Sequence, residues 1–268
     1  MSTPPIAFIG GGNMASGLIG GLVRSGHAPA DIVVVEPNEP QRDKLLQAYG
    51  VQAQAQADAR LATAGTVVWA VKPQLFAEAA APCKAHIGAA LQLSVMAGIR
   101  SDALVAASGS ARVVRAMPNT PALIGQGIAG LFARPAVDAA ARAEVAALFA
   151  PTGASIWVDH EDDLDAVTAL SGSGPAYVFY FLEAMVQAAA EMGLSPAQGR
   201  LLAQSTFAGA AALAQQSELS PTALREQVTS KGGTTHAAIT TLDALGVKAA
   251  FVQALHAARA RAAELGRG

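Results

Sequence analysis

The hydrophobic and polar positions change their pattern near residue 160. From residue 6 to about 158, short β-branched runs alternate with alanine-rich stretches of helical spacing. Strands that alternate with helical stretches in this way predict βαβ units and a parallel sheet. The runs that we predict as strands are IAFI (6–9), IVVV (32–35), TVVWAV (66–71), LQLSV (91–95) and RVVRAM (112–117), with GIAGLF (127–132) and SIWV (155–158) as extensions of the same sheet.

Strand signals end after Val158. The acidic stretch DHEDDLD (159–165) opens a remainder that is almost wholly helical and is divided by glycines and prolines. The change of pattern predicts two domains, an α/β domain with a parallel sheet at residues 1–160 and an all-α domain at residues 161–268.

The most apolar helix is predicted over residues 175–192. Its polar residues Glu183, Gln187 and Glu191 recur every four positions and form one narrow stripe, which argues against a membrane span. Nearly every other direction around this helix is apolar, as expected of a helix that is buried on most sides. We therefore predict that a second copy of the chain supplies part of its cover.

Composition narrows the classes of partner. The chain is 52% hydrophobic and 14% charged with a net charge of -2, so it offers no electrostatic footprint for nucleic acid. The single cysteine, Cys83, cannot form an internal disulfide, and no secretory signal stands at the N-terminus, which favours the cytoplasm. We expect a small-molecule substrate and neither a nucleic-acid, a membrane nor a metal partner.

The first glycine loop follows the first predicted strand. Gly10, Gly12 and Ala15 form a G-x-G-x-x-A frame, in which the first glycine allows a tight turn, the second lets backbone amides approach a diphosphate, and the alanine permits close packing of helix on strand. The N-terminus of the following helix then faces the anion. A tight turn that binds nothing is the alternative. The predicted dinucleotide contacts here are Gly10, Gly11, Gly12, Asn13 and Met14.

An acid, Glu36, ends the second predicted strand. Its distance from the glycine loop is close to the ~20 residues expected of a carboxylate that accepts hydrogen bonds from an adenosine ribose. Such a carboxylate repels a 2′-phosphate, whereas Asn38 and Arg42 soften that preference by offering contacts to one. The choice between NADH and NADPH stays open, as does the interpretation of Glu36 as a solvated acid at a strand end.

Further candidate contacts follow the other strands, because ligands of an open parallel sheet bind beyond the carboxyl ends of its strands. They are Ala70, Val71, Lys72 and Pro73 after the third strand, Val95, Met96 and Ala97 after the fourth, and Asn119 after the fifth. A helix start at Lys72 and a turn at Asn119 are the structural alternatives.

The second glycine loop is TSKGGTTH, residues 229–236. Gly232 and Gly233 free the backbone to turn, and the amides of Gly233, Thr234 and Thr235 begin a helix whose uncapped positive end suits a carboxylate. The hydroxyls of Ser230 and Thr235 add further donors. A cofactor loop in one domain and an anion loop in the other predict a reductase of a small substrate that bears a carboxylate.

These segments resemble the pyrroline-5-carboxylate reductase family along nearly the whole chain. The matching segments are IGGGNMASGLIGGL, WAVKPQ, MPNTPALIGQG, LSGSGPAYVF and LREQVTSKGGTTHAAI, of which the last two are specific to the family. Lys231 departs from the family pattern, which commonly has proline there. The resemblance implies hydride transfer from NADPH or NADH to the C=N carbon of L-1-pyrroline-5-carboxylate, which gives L-proline.

The resemblance also implies residue roles. Ser230, Gly233 and Thr234 match the loop that holds the substrate carboxylate, and Thr235 matches the hydroxyl that hydrogen-bonds the ring nitrogen. Glu218 matches a position near the substrate and Gln227 one near the cofactor. The family's helical domain forms an intertwined homodimer, and its dimers gather into a ring of ten.

We expect Thr235 to donate a hydrogen bond and to position the substrate, because none of the five histidines lies in a recognisable acid-base frame. A β-hydroxyacid dehydrogenase is the rival enzyme class, but it would use a lysine general acid early in the second domain, and residues 160–200 contain no lysine. A non-catalytic NAD(P)-binding regulator is the alternative outside enzymes.

Overall fold

The computed structural model describes residues 4–88 and 90–267. The chain divides into two compact units, Met1–Ser173 together with Ala258–Gly268, and Gly174–Ala257. The first unit is α/β and the second is helical.

The first unit contains a sheet of seven strands in the order β2-β1-β3-β4-β5-β6-β7. All seven predicted runs form strands. Their bounds are β1 Ile6–Ile9, β2 Ile32–Val35, β3 Thr66–Trp69, β4 Leu91–Ser94, β5 Val113–Met117, β6 Gly127–Ala133 and β7 Gly153–Trp157.

The parallel arrangement predicted for the sheet holds for β1 to β5. β6 pairs antiparallel with β5, and β7 pairs parallel with β6, so the last two strands run against the other five. The connection from Met117 to Gly127 is too short for the helical crossover of a dozen or so residues that a parallel pair needs.

Helices cover both faces of the sheet because side chains alternate along each buried strand. In β1, Phe8 faces a core shared with α1, α2 and α5, whereas Ala7 and Ile9 face a second core shared with α3 and α4. The helix bounds are α1 Asn13–Arg24, α2 Glu39–Tyr49, α3 Phe76–Cys83, α4 Ser101–Ser108 and α5 Ala139–Phe149. The short helix α6 Asp163–Val167 and a π-helical turn, Thr168–Gly172, follow the sheet.

The second unit is helical, as the sequence pattern predicts, and five helices contribute to it. They are α7 Gly174–Glu191, α8 Pro196–Gln216, α9 Pro221–Gln227, α10 Thr234–Ala244 and α11 Val247–Leu265, the last of which ends within the first unit. Within the second unit, Phe251 contacts Tyr177 and Phe181 edge to face.

Much of the apolar surface of α7 and α8 is exposed in the single chain. Phe179 is 58% exposed, Tyr180 69% and Leu201 66%. Large apolar patches of this kind are typical of surfaces that pack against another protein.

Within residues 4–88 and 90–267, no helix taken alone has the length and apolar character needed to cross a membrane, although the consecutive helices α10 and α11, bent at their junction, meet that length and composition when combined.

Candidate active site

Gly10 makes the turn that leaves β1. Its φ of 98° lies in the region that favours glycine, and a Cβ at this position would lie 2.7 Å from the Ala70 carbonyl oxygen. The Gly10 amide donates to the Val35 carbonyl oxygen at 2.8 Å. The first glycine of the motif is therefore required by the close approach of the ends of β1, β2 and β3.

A hydrogen bond joins the backbone of Gly11 to the side chain of Glu36. The Glu36 carboxylate accepts a hydrogen bond from the Gly11 amide at Oε2 (2.8 Å) and another from the Asn38 amide at Oε1 (2.9 Å). A Cβ at Gly11 would lie 2.8 Å from Leu45 Cδ1 and 3.3 Å from Glu36 Cβ and Cγ. A side chain at position 11 would therefore displace the carboxylate, so this glycine serves the placement of Glu36.

Gly12 differs from its neighbours because a Cβ there would meet nothing within 4 Å. It is the N-cap residue of α1, without a capping side-chain hydrogen bond, and the first turn of that helix contains no acidic residue. The positive end of the helix dipole is therefore not neutralised by the chain itself, and open space stands before it. An anion fits this arrangement.

The residues predicted after β3 and β4 lie at neighbouring strand ends. The Ala70 amide donates to the Ile9 carbonyl and the Val95 amide to the Trp69 carbonyl, so the chain leaves β1, β3 and β4 side by side. Val71 is half-buried, and Lys72 and Pro73, at the start of a short 3-10 turn, are exposed. Met96 is buried and Ala97 exposed.

Asn119 is engaged within the protein. Its Nδ2 donates to the Ser171 carbonyl at 3.3 Å, and its Oδ1 accepts from the Ile128 amide at 3.0 Å. The side chain thus ties the start of β6 to the π-helical turn. The structure gives its amide a supporting role, and its proposed cofactor contact stays a prediction.

A cavity of about 520 Å³ lies beside the ends of β1, β2 and β3. Gly10, Val35, Pro37 and Val71 contribute to its wall. Its lining is mostly apolar, with Glu78 as the charged residue among the described residues that form it. A flat aromatic ring system fits such a cleft.

A buried ion pair supports the segment that follows β4. Arg115 of β5 donates to Glu161 at 2.8 Å, and Glu161 also accepts from the amide and the hydroxyl of Ser101, both at 2.7 Å. Burial raises the pKa of Glu161, but the hydrogen bonds from Ser101 and Arg115 outweigh it, so the pKa lies below its ordinary value of 4.5. The carboxylate thereby fixes the start of α4, a few residues after Val95–Ala97.

The turn at Gly98, between Val95–Ala97 and the start of α4, packs against Leu265 near the end of α11. Gly98 has a φ of 75°, and a Cβ on it would lie 3.0 Å from the carbonyl oxygen of Leu265. Both residues belong to the first unit.

The second glycine loop begins α10 in the helical unit, as predicted. Gly232 has a φ of 78°, and Gly233 is the N-cap residue without a capping side-chain hydrogen bond. The Gly233 amide donates to the Ser230 carbonyl at 3.0 Å, so of the three amides predicted to face an anion this one is already used within the loop. A Cβ at Gly233 would lie 2.7 Å from Ser230 Oγ, which places that hydroxyl beside the start of the helix.

The remaining substrate-side candidates are in the same unit. Thr235 is half-buried in the first turn of α10, and Thr234 before it is exposed. Glu218, between α8 and α9, and Gln227, the last residue of α9, are both exposed. Ser230, Gly233, Thr234 and Thr235 are therefore brought together by one loop, whereas Glu218 and Gln227 come from other segments.

Two supporting residues were missed by the sequence analysis. Gln41 Nε2 donates to the Gly11 carbonyl and, at 3.3 Å, to Ser16 Oγ, so it braces the first glycine loop from α2. The sequence presents Glu161 only as one member of the acidic stretch at residues 159–165. The position of Gln41, three residues after the N-cap Asn38, resembles a capping pattern and was the available signal.

In the part of the chain that the structure describes, no group of three or more His, Cys, Asp or Glu side chains could hold a metal ion. A dinucleotide, by contrast, fits the residues of the first unit. The space before Gly12 suits a diphosphate, and the cavity beside Pro37 suits an adenine. This site and the sheet define a Rossmann-type dinucleotide-binding protein.

Two family models match the chain. Residues 161–265 match "Pyrroline-5-carboxylate reductase dimerisation", and residues 5–98 match "NADP oxidoreductase coenzyme F420-dependent". A pyrroline-5-carboxylate reductase of Pseudomonas aeruginosa is 44% identical over 99% of this chain and 98% of its own length. The chain belongs to the pyrroline-5-carboxylate reductase family.

Solved structures agree. A pyrroline-5-carboxylate reductase from Coxiella burnetii, at 37% identity, superposes with a TM-score of 0.92 over 98% of this chain and 99% of its own. The Plasmodium falciparum pyrroline carboxylate reductase, solved with NADP bound, superposes with a TM-score of 0.88 at 25% identity over 99% of both chains.

Proposed function

We propose that this chain reduces L-1-pyrroline-5-carboxylate to L-proline with NADPH or NADH as the hydride donor. The observation that carries the proposal is the 44% identity to a reductase of that name over 99% of the chain. The geometry of the two glycine loops supports it, because each presents a helix N-terminus that no side chain caps.

The bound reduced nicotinamide supplies the hydride, and the protein's part is to hold and orient the reactants. Gly10 to Met14 and Glu36 hold the dinucleotide, with Ala70–Pro73 and Val95–Ala97 along its path. Asn119 contributes by supporting the neighbouring segments, and Gln227 is proposed to contact the cofactor on the strength of the resemblance alone.

The second loop holds the substrate carboxylate. The Ser230 hydroxyl lies beside the start of α10, and the amides of Thr234 and Thr235 follow it. Gly233 contributes by keeping its Cα free of a side chain that would meet Ser230 Oγ. Glu218 is proposed to lie near the substrate from the resemblance alone.

Thr235 is proposed to donate its hydroxyl hydrogen to the ring nitrogen. An iminium carbon accepts hydride better than a neutral imine carbon, so a donor at nitrogen favours the transfer as charge moves. A threonine hydroxyl is not a proton source of tuned acidity, and the proton therefore comes from solution or through water. Most of the rate then derives from bringing the reactants together in one orientation.

Replacing this hydroxyl is the sharpest test. We expect Thr235→Ala to lower kcat/KM by about tenfold to a hundredfold, or ~1 to 3 kcal/mol of transition-state stabilisation. Thr235→Ser should recover most of the loss. Thr241→Ala is the matched control, because Thr241 lies in the same helix and its Oγ1 bonds the Ala237 carbonyl at 3.0 Å. Unchanged kcat/KM in Thr235→Ala would remove this residue from the mechanism.

The absorbance of the reduced nicotinamide separates the competing functions. Its oxidation with pyrroline-5-carboxylate supports the reductase. Oxidation with a β-keto acid alone supports a β-hydroxyacid dehydrogenase, and dinucleotide binding without turnover supports a regulator.

We further propose that the chain is a homodimer in which the partner covers α7 and α8. The exposed Phe179, Tyr180 and Leu201 and the match to a dimerisation model support this arrangement. Assembly of five dimers into a ring of ten stays a prediction from the resemblance. Sedimentation of Tyr180→Glu beside the unchanged protein tests the interface, since a charge in an apolar contact should favour the single chain.

A cytoplasmic location is also proposed. Cys83 is the single cysteine and is free and buried. Burial raises the pKa of its thiol to about 11, so the group stays protonated and unreactive. A chain without disulfides is typical of a reducing compartment.

A further inference from the structure

The carboxylate of Glu36 is fixed at the mouth of the dinucleotide site. Two backbone amides, those of Gly11 and Asn38, donate to its two oxygens at 2.8 and 2.9 Å. Gly11 has no side chain in the space next to Glu36 Cβ and Cγ. To move away, the carboxylate would have to give up both hydrogen bonds, so the backbone fixes its position.

The bound carboxylate still has room for hydroxyl donors. An ionised carboxylate has about four acceptor positions, and the two amides use two of them. The hydroxyls of an adenosine ribose can donate to the remaining positions. A 2′-phosphate cannot donate when it is ionised, and its charge is repelled by that of Glu36.

The nearest candidates to compensate that repulsion are partly engaged with the backbone. Arg42 Nη1 donates to the Glu36 carbonyl at 3.0 Å and to the Pro37 carbonyl at 2.8 Å, so the guanidinium is turned toward the backbone. Asn38 Oδ1 accepts from the Gln41 amide at 3.0 Å and serves as the N-cap of α2. These are the two residues that the sequence offered as contacts to a phosphate.

The cavity beside Pro37 has no basic side chain among its described lining residues. Among its described lining residues the charged one is Glu78, which adds a second carboxylate to this side of the sheet. On α2, Glu39 stands in the first turn, and Arg42, Asp43 and Lys44 follow it. Glu36 and Glu78 thus place two carboxylates at this edge of the sheet, and the described lining of the cavity contains no basic residue.

We infer that this chain binds NADH in preference to NADPH and that Glu36 sets the preference. The inference rests on the proposed function, because it concerns the same dinucleotide site. The structure of the Plasmodium falciparum relative was solved with NADP bound.

The test is a pair of binding titrations on the full chain, with NADH and with NADPH, by calorimetry at low and at high salt. We expect the Kd for NADPH to exceed that for NADH by about tenfold or more at low salt, and the ratio to shrink at high salt because repulsion between charges is screened. Glu36→Gln should move the ratio toward NADPH by about tenfold. Glu36→Asp should keep the preference for NADH while weakening both ligands.

Glu39→Gln is the matched control, since it removes the same charge from an exposed side chain three residues away. It should leave the ratio of the two Kd values within about twofold. Each ratio compares two Kd values of the same protein, so a smaller folded fraction in a variant does not change it. Whether the chain prefers NADH is read from the unchanged protein alone.

Equal or tighter binding of NADPH by the unchanged chain would overturn the inference, while leaving the proposed reductase intact. A ratio that Glu36→Gln does not move would remove Glu36 as its cause. Failure of both dinucleotides to bind would instead overturn the proposed function itself, and the inference with it.

Discussion

The loop at Gly10 to Gly12 is held by the sheet, whereas the loop at Gly232 and Gly233 is held by bonds within itself. Gly10 donates to Val35, and a Cβ there would meet the Ala70 carbonyl. In the second loop, Gly233 donates to Ser230, three residues earlier, and a Cβ at Gly232 would meet nothing within 4 Å.

The difference shows that glycines in similar patterns serve different needs. At Gly10 the need is tertiary, because strand ends crowd the turn. At Gly232 it is the backbone conformation alone, with a φ of 78° and open space around it. At Gly12 neither holds, since its φ of -65° is ordinary and no neighbour approaches. The free space at Gly12 agrees with the diphosphate contact that the sequence predicts for this glycine.

The largest expected loss of stability comes from removing the ion pair between Arg115 and Glu161 in the first unit. Glu161→Ala leaves Arg115 buried without its carboxylate, and we expect a loss of about 3 to 5 kcal/mol in the free energy of unfolding. Urea titration at constant protein concentration measures it. The matched control is Asp162→Ala, which removes an exposed partner of Arg100 and should cost far less.

The same pair predicts a pH dependence. Because the pKa of Glu161 is lower in the folded chain than its ordinary 4.5, its contribution to stability is fully present above that value and is lost as the pH falls through the folded pKa. The stability difference between the unchanged chain and Glu161→Ala should therefore narrow below pH 4.5. A constant difference down to acid unfolding would contradict this account.

Gly10→Ala comes next in size. The new Cβ would clash with backbone, which cannot rotate away, and the residue would keep a φ of 98°. We expect a loss of about 2 to 3 kcal/mol in the free energy of unfolding, together with loss of dinucleotide binding. Stability equal to that of the unchanged chain would show that the turn relaxes.

Gly232→Ala should cost less, about 1 kcal/mol, because the penalty is conformational and no atom is displaced. Urea titration again measures it. A cost as large as that of Gly10→Ala would contradict the contrast between a loop fixed by packing and a loop fixed by its own backbone.

Gly12→Ala should have the smallest effect on stability, within about 0.5 kcal/mol, since position 12 has an ordinary φ and free space. Its effect should appear instead in dinucleotide affinity, where we expect about a tenfold loss from a methyl group in the path of the diphosphate. Unchanged affinity would show that the free space is not the diphosphate site.

Much of the fold was predictable, because a β-branched run is a local signal. The run IVVV forms β2, Ile32–Val35, with the predicted bounds, and the start of α10 after Gly233 follows from the second loop. The reversal of β6 was not predicted, although the short connection after Met117 carries that information.

Side-chain partners in the site were predicted less well, since they depend on residues far apart in sequence. Glu36 was found from its spacing, but its hydrogen bond to the Gly11 amide needs the loop in place. Arg115 and Glu161 are 46 residues apart, and no local pattern connects them. The bonds that occupy Asn119 likewise form only after the sheet and the π-helical turn have been assembled.

The contact between Gly98 and Leu265 has a consequence for the order in which the chain folds during translation. The Leu265 carbonyl that lies against this turn is translated after all of the helical unit, Gly174–Ala257, although the turn itself belongs to the sheet. A nascent chain on the ribosome can therefore pair its strands early, yet it closes this corner of the nucleotide-binding unit only after the helices have been made.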